Sequence, residues 1–279
     1  MNDLQKFDYS ITFACLNQSE YTKRCLESLR GSRIDLSRVV AVDNASTDNT
    51  LEVISAFPEV RIIKNKENLG CGTAWNQGAL DLQTEWTVVM NNDILVAPNL
   101  LDKLFESAIR YKLKVVCPAM IEGTADYDVP ETLLKLSGIG KDLKRSGDKH
   151  AVCMLIHKSV WKEVGYFRSV PKLLGFEDTL FFHELEKHHV PSAIVGNSWI
   201  HHFGSVTQSE MKRERGLKEN EGLGHRKNYL LLNQSWLQRK LTKIKRTNFR
   251  KSCRVAELQQ TGISLHGIKE NGKEIVWTA

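Results

Sequence analysis

Short apolar runs alternate with stretches of helical period through the first 120 residues of the chain. Ser10–Ala14 (SITFA) predicts a strand, and from Ser19 the residues Tyr21, Cys25, Leu26 and Leu29 recur on one face of a helix. Arg38–Val42 (RVVAV) predicts a second strand, and Leu51, Ile54 and Phe57 mark the helix that follows it. Arg61–Lys64 reads as a short strand, ENLGCGTAWNQGAL contains a helix, and Trp86–Met90 (WTVVM) is a buried strand. Pro98 opens a helix carrying Leu100, Leu101, Leu104, Phe105 and Ala108, because proline is tolerated in a first turn. Lys114–Cys117 is a further strand, expected to stop at Pro118. Strands that are apolar throughout and alternate with helices predict an α/β fold with a Rossmann-like, mostly parallel central sheet flanked by helices. Ligands of such sheets sit at the carboxyl ends of the strands. Asn17, Asp43 and Asp93, each following a different strand, are therefore the first candidates.

The second half is less regular. Glu122–His150 reads as a long loop region, Ala151–Ile156 as a strand, and SVWKEVGYF as a short helix and turn. GFEDTLFFHELEKHH predicts a helix starting at Glu177 and Asp178, and SAIVGNSWIHHFGS one or two strands. Val206–Gly224 is polar and glycine-spotted, the pattern of a mobile segment. The expected organisation is a main domain over 1–225, with one half to about residue 120 and a second half beyond it. A basic, helical C-terminal extension then covers 226–279.

Composition fits a folded chain of one large or two small domains: 279 residues, 41% hydrophobic and 26% charged. No apolar run reaches the ~18 residues of a membrane span, and MNDLQKFDYS lacks the pattern of a secretory signal. The six cysteines form no Cys-x-x-Cys pair, and several lie in apolar runs. They are expected to be buried reduced thiols of a cytosolic protein. The net charge of +6 is unevenly placed. Gly222–Ala256 holds ten Lys and Arg and no acid, and the remainder has 29 bases against 33 acids. That asymmetry points to an anionic partner, either a membrane surface or nucleic acid. At helical spacing Leu237, Leu241 and Ile244 share a face of this segment, with bases around the rest, the pattern of a helix lying in a headgroup plane.

Four polar clusters carry candidate chemistry. Asn91-Asn92-Asp93 closes the WTVVM strand, where a carboxylate beside amides suits a hard divalent cation, Mn²⁺ or Mg²⁺, completed by diphosphate oxygens and water. The same residue types also favour plain turns. In DNASTD, Ser46–Asp48 read as helix caps, whereas Asp43 stands at the strand end, placed to accept from a nucleobase N–H. Glu177 and Asp178 at a helix start are either dipole complements or a general base. His201 and His202 end a strand, whose alternation lets only one of them face a site. HELEKH at 183–188 spaces its histidines five apart, so it is not a zinc-protease motif, and no phosphate loop or nucleophile elbow occurs.

Taken in order, VVAVDNASTDNT, ENLGCGTAWNQG, VVMNNDILVAPN, CMLIHKSVWKEVGYF, GFEDTLFFHELEKH and IHHFGS resemble the inverting family-two glycosyltransferases with the GT-A fold, especially their rhamnosyltransferase-like branch. The likeness spans roughly residues 10 to 205. It implies a nucleotide-diphosphate sugar as donor. Asp43 would contact the base, and Asn17, Asn68, Gly70, Asn76, Gly78, Asn91 and Asn92 would shape the pocket around nucleotide and sugar. It further implies a cation held by Asp93 with His201, or His202 in its place, and a base at Asp178 with Glu177 beside it. The first strand departs from the family's Pro-Thr-Tyr-Asn-like ending in keeping only Asn17, and the metal motif has one acid where two are usual. A glycan or glycolipid acceptor follows from the resemblance, with modified bases of nucleic acid, or an inactive nucleotide-sugar-binding module, as alternatives.

Overall fold

The computed structural model describes residues 7–169, 176–204, 206 and 231–278. In chain order the first half runs β1 (Tyr9–Cys15), α1 (Ser19–Gly31), β2 (Val39–Asp43), α2 (Thr50–Ser55), β3 (Arg61–Lys64), α3 (Cys71–Leu82), β4 (Trp86–Asn91), β5 (Ile94–Val96) and α4 (Leu100–Arg110). The second half runs β6 (Val115–Gly123), α5 (Val129–Ile139), β7 (Lys144–Ser146), β8 (Cys153–His157), α6 (Lys158–Val164), α7 (Glu177–Lys187), β9 (Ser192–His202), α8 (Trp236–Thr261), β10 (His266–Lys269) and β11 (Val276–Trp277).

The parallel part of the sheet comes from the first half: β3-β2-β1-β4 are hydrogen-bonded in that order, all parallel. The chain steps outward from β1 to β2 and β3, then returns to the other side of β1 for β4. That reversal between β1 and β4 is the topological switch point, where α/β sheets open a crevice at their carboxyl edge. The sheet continues in mixed fashion through β8, β6 and β10, with β9 branching from β6 to reach β5 and β7. β1, β2 and β4 are buried nearly throughout, as their unbroken apolar runs require. Two apolar cores lie on opposite faces. One is built on Phe13, Leu26, Met90 and Phe105, the other on Trp75, Val89, Phe181 and Trp199.

Three expectations need correction. The strand starting near Lys114 does not stop at Pro118: β6 runs on to Gly123, and its pairing with β9 slips between Pro118 and Ala119. Proline forfeits one ladder donor, and a local irregularity absorbs the loss. The region 122–150 is not one long loop, since it contains α5 and β7. Asp128 caps α5 by accepting from Glu131 N at 2.9 Å, a proline occupies its first turn, and Leu133 and Leu136 supply the buried face. The residues after 225 do not all stand apart: β10 pairs in parallel with β6, so the chain returns to the central sheet after α8.

α8 itself carries a capping box at Ser235 and Gln238 and ends on Gly262, whose φ of 78° suits a residue without Cβ. It is held to the body by ions more than by apolar packing. Arg145, 2% exposed, forks onto Glu257 at 2.7 and 2.9 Å, and Arg250 forks onto Asp148. Among its described residues only Glu257 is fully buried, while Trp236, Leu237, Leu241 and Ile244 are exposed. The expected mobile stretch 206–224 and the start of the basic segment at Arg226 lie outside the described residues, Val206 excepted. The cysteines are free thiols, four of them buried, and no described helix is long and apolar enough to cross a membrane.

Candidate active site at the sheet switch point

A pocket of roughly 520 Å³ opens at the carboxyl ends of β1 and β4. Its floor is Ala14, Cys15 and Leu16 from β1 and its following loop, with Asn91, Asn92 and Asp93 after β4. Its walls include Asn44 and Asn68, and Glu177, Asp178 and Phe182 of α7. Lys149 and His150 line it as well, and α8 contributes Arg246 and Arg250.

The Asn44–Asn68 side is a lattice of amides. Asn44 donates to Asn68 Oδ1 at 2.8 Å and accepts at Oδ1 from Leu69 N and Asn65 Nδ2, both at 3.0 Å. Asn68 Oδ1 also accepts from Gly70 N, and Gly70, with φ 84°, turns the chain into α3. Asp43 is 1% exposed at the end of β2 and accepts from Ser46 N at 3.2 Å. Asn17 ties two loops together: its N–H donates to Ser46 Oγ and its Oδ1 accepts from Thr47 N at 2.8 Å.

Of the residues expected in this pocket, Asn17, Asp43, Gly70, Asn76 and Gly78 are not among those that line it, and the last two do structural work elsewhere. Asn76 clamps Phe167, donating to its carbonyl at 2.7 Å and accepting from its N–H at 3.0 Å. Gly78 lets α3 lie against β1, since a Cβ there would stand 1.8 Å from Thr12 Oγ1. Sequence reasoning missed Asn44, which sits beside the aspartate that drew attention. It also missed Lys149, Arg246 and Arg250, for which no local motif exists.

The metal candidates separate cleanly. His201 is 0% exposed, and both its ring nitrogens are taken: Nε2 lies 3.1 Å from the Gly123 carbonyl and Nδ1 2.8 Å from Tyr127 Oη. Burial pushes its pKa down to about 4, so the ring is neutral, donating at Nε2 and accepting at Nδ1. His202 alternates to the other side, and its Nε2 stands 3.5 Å from Asp93 Oδ1. His201, the histidine first expected beside Asp93, thus faces away from it, and His202, the alternative, stands there. Burial works against charge on both partners, but each outweighs it for the other: Asp93 is held below the usual carboxylate range and His202 above the usual imidazole range.

Asp93 Oδ1 and both ring nitrogens of His202 are buried without a hydrogen-bond partner among the described residues. A carboxylate oxygen and an imidazole lining one pocket form, once the imidazole gives up its proton, a donor set that fits Mn²⁺ better than Mg²⁺, with the remaining positions left to diphosphate and water. The described residues hold no cluster of three or more protein ligands, so such an ion would depend on its substrate.

At the start of α7, Phe176 takes a left-handed φ of 85° and turns Glu177 and Asp178 toward the pocket. Glu177 packs its Cβ against Gly72 of α3, where a side chain would meet it at 3.1 Å. Burial, reinforced by the neighbouring Asp178, pushes its pKa up to about 7. Asp178 Oδ1 accepts from Thr179 N at 2.6 Å.

A family model described as Glycosyl transferase family 2 matches residues 10–165, more than half of the chain. The chain belongs to that family. Among the relatives of family 2 that it matches is the succinoglycan biosynthesis protein ExoO of Rhizobium meliloti, 31% identical over 103 residues, 36% of this chain and 30% of that protein. An N-acetylglucosaminyl-diphospho-decaprenol L-rhamnosyltransferase of Mycobacterium tuberculosis is 32% identical over 85 residues, 26% of this chain and 28% of that protein. The chain thus spans less than a third of the length of either. Among solved structures, S. aureus TarS 1-349 in complex with UDP-GlcNAc superposes with a TM-score of 0.54 at 16% identity, covering 77% of this chain and 60% of that one. GalNAc-T7 with UDP, GalNAc and Mn²⁺ gives 0.55 at 14% identity, covering 70% and 44%. The fold is the GT-A glycosyltransferase fold.

Proposed function

We propose that this family-2 chain transfers a sugar from a nucleotide-diphosphate donor to a hydroxyl of a lipid-linked glycan intermediate, with inversion at the anomeric carbon. One observation carries the reading: a single switch-point pocket places the orphaned Asp93–His202 pair on its floor and Asp178 on its wall. The first suits a diphosphate leaving group, the second an attacking hydroxyl. Solved relatives of the same fold hold UDP, UDP-GlcNAc or Mn²⁺, which supports a donor and cation of that kind.

In this reading Asp43 and the Asn44–Asn68 lattice hold the base and ribose. Asp93 and His202 would hold the divalent cation, which when bound neutralises charge on the departing diphosphate. Asp178 takes the proton from the acceptor hydroxyl as it attacks the face of the sugar opposite the diphosphate. The new glycosidic bond forms as the anomeric carbon–diphosphate bond breaks, and the electron pair leaves with the nucleoside diphosphate. Glu177, whose burial holds its pKa up to about 7, resists ionising beside Asp178.

The acceptor reading rests on α8. Its exposed Trp236, Leu237, Leu241 and Ile244 are interspersed with Arg239, Lys240, Lys243 and Lys245. A helix of that pattern at the rim of the pocket suits peripheral attachment to an anionic membrane, where each base contributes about 1 kcal/mol.

A nucleoside-diphosphate release assay over a panel of sugar donors and lipid-linked acceptors tests the reading, with NMR of the product. An inverted linkage made with one donor–acceptor pair is the expected result. A retained linkage refutes the mechanism, and absence of transfer across the panel refutes the activity.

A further inference from the structure

The far end of the pocket is built from α7 and α8, neither of which lies in the matched region 10–165. Asp178, Phe182 and Glu186 recur every four residues on α7, so they follow one side of the helix. From Asp178 to Glu186 that side extends about 12 Å, at 1.5 Å per residue. Asp178 and Phe182 line the pocket. Beside Phe182 stands Lys149, its Nζ 5.7 Å from the ring centroid and its side chain 4% exposed.

Around Glu186 the pocket wall becomes basic. Lys149 Nζ donates to the Gly147 carbonyl at 3.0 Å and to Glu186 Oε1 at 3.2 Å. Arg246 donates to the same oxygen at 3.2 Å, and Arg250 forks onto Asp148 at 2.6 to 3.1 Å. Lys149, Arg246 and Arg250 face two carboxylates: Asp148, which also answers the buried Arg145 at 3.6 Å, and Glu186, which answers two cations with a single oxygen. Glu186 is also 46% exposed. Its carboxylate can therefore turn to water, and the buried Lys149 ammonium it leaves behind calls for another anion in its place. Arginine forks and an ammonium beside them match the oxygens of a phosphate.

We propose that Lys149, Arg246 and Arg250 form a phosphate subsite on the acceptor side of the pocket. The accepting hydroxyl lies at Asp178, the acceptor sugar rests its C–H face on Phe182, and a phosphate about one sugar unit away replaces Glu186 between Lys149 and Arg246. The acceptor class is then a phosphorylated sugar, as in a sugar joined to its carrier through phosphate. The inference rests on the glycosyltransferase reading for the direction of the acceptor, but the subsite is a property of these residues alone.

Calorimetry on the full chain tests it in two stages. UDP, dTDP and GDP are titrated first with Mg²⁺, which reads the donor assignment alone. With the donor side saturated, a panel of hexose and N-acetylhexosamine 1-phosphates is then compared with the methyl glycosides of the same sugars. At least one phosphate should bind ten-fold or more tighter than its glycoside, with marked salt dependence. K149Q and R246Q should each remove most of that preference. E186Q should tighten the phosphate several-fold, a gain that a folding defect does not produce. No phosphate preference, or a preference that K149Q and R246Q leave intact, overturns the subsite. Failure of every nucleotide to bind, with the phosphate preference present and sensitive to R246Q, overturns the donor reading and leaves the subsite standing.

Discussion

His202 Nε2 faces Asp93 Oδ1 at 3.5 Å, while its neighbour His201 faces the opposite way onto Tyr127 and Gly123. Strand alternation along β9 makes this division, and the pairing of His202 with Ile94 on β5 brings the imidazole beside the end of β4. The two histidines should therefore fail differently. His202→Ala should weaken the Mn²⁺-dependent part of nucleoside diphosphate binding by roughly 10–100-fold, the usual cost of a ligand-shell loss. His201→Ala should lower Tm through a buried cavity and an orphaned Tyr127 hydroxyl, with the metal dependence kept. Parallel calorimetry and melting curves decide between them, and the reverse pattern would return the metal to His201.

Asp178→Asn keeps the acceptor oxygen that receives the Thr179 N–H but removes basicity. Turnover should fall about 10²–10⁴-fold with donor affinity nearly unchanged. Near-normal transfer by this variant would move the proton acceptor to another group, Glu177 first.

Glu177 gives a pH signature in stability. Its pKa rises from 4.5 to about 7 on folding because burial disfavours its charge. Below about pH 4.5 the carboxyl is protonated in both states. As pH climbs toward 7 the unfolded chain ionises first, so the folded state loses stability, by roughly 2–3 kcal/mol across that window. Glu177→Gln removes this loss. The variant should match the native chain at pH 4.5 and melt several degrees higher at pH 8. Parallel Tm profiles from pH 4.5 to 8 would contradict a raised Glu177 pKa.

For α8, flotation with anionic and neutral liposomes separates membrane attachment from plain packing on the body. Binding to anionic vesicles alone is expected, lost when Arg239, Lys240, Lys243 and Lys245 become glutamine. Arg246 and Arg250, which ion pairs anchor to the body, are left unchanged. Salt-sensitive DNA binding without flotation would instead point to nucleic acid.

The parallel half of the fold was legible because β1, β2 and β4 are buried on both faces, which writes itself as unbroken apolar runs. Asp93 and Asp178 were legible because each sits at an element boundary with polar neighbours. α5 was misread although Asp128, Pro130, Glu131, Leu133 and Leu136 spell a helix start, since Gly138 and Gly140 with nearby charges suggested a loop. Asn76 and Gly78 share a motif with pocket residues yet face Phe167 and Thr12, a distinction of helix face that a motif does not encode. Lys149 and Arg246 are about a hundred residues apart, and the anchoring of α8 through Arg145–Glu257 and Arg250–Asp148 brings them together.

The central claim is that one pocket binds a nucleotide-diphosphate sugar through a cation held at Asp93. Calorimetry of UDP- and dTDP-sugars in Mn²⁺ and in EDTA, on the native chain and on Asp93→Ala, tests it directly. Tight binding to the native chain in Mn²⁺ is predicted, weakened in EDTA to the level shown by Asp93→Ala, while that variant still binds free nucleoside through Asp43. Metal-dependent binding undiminished in Asp93→Ala would contradict the account.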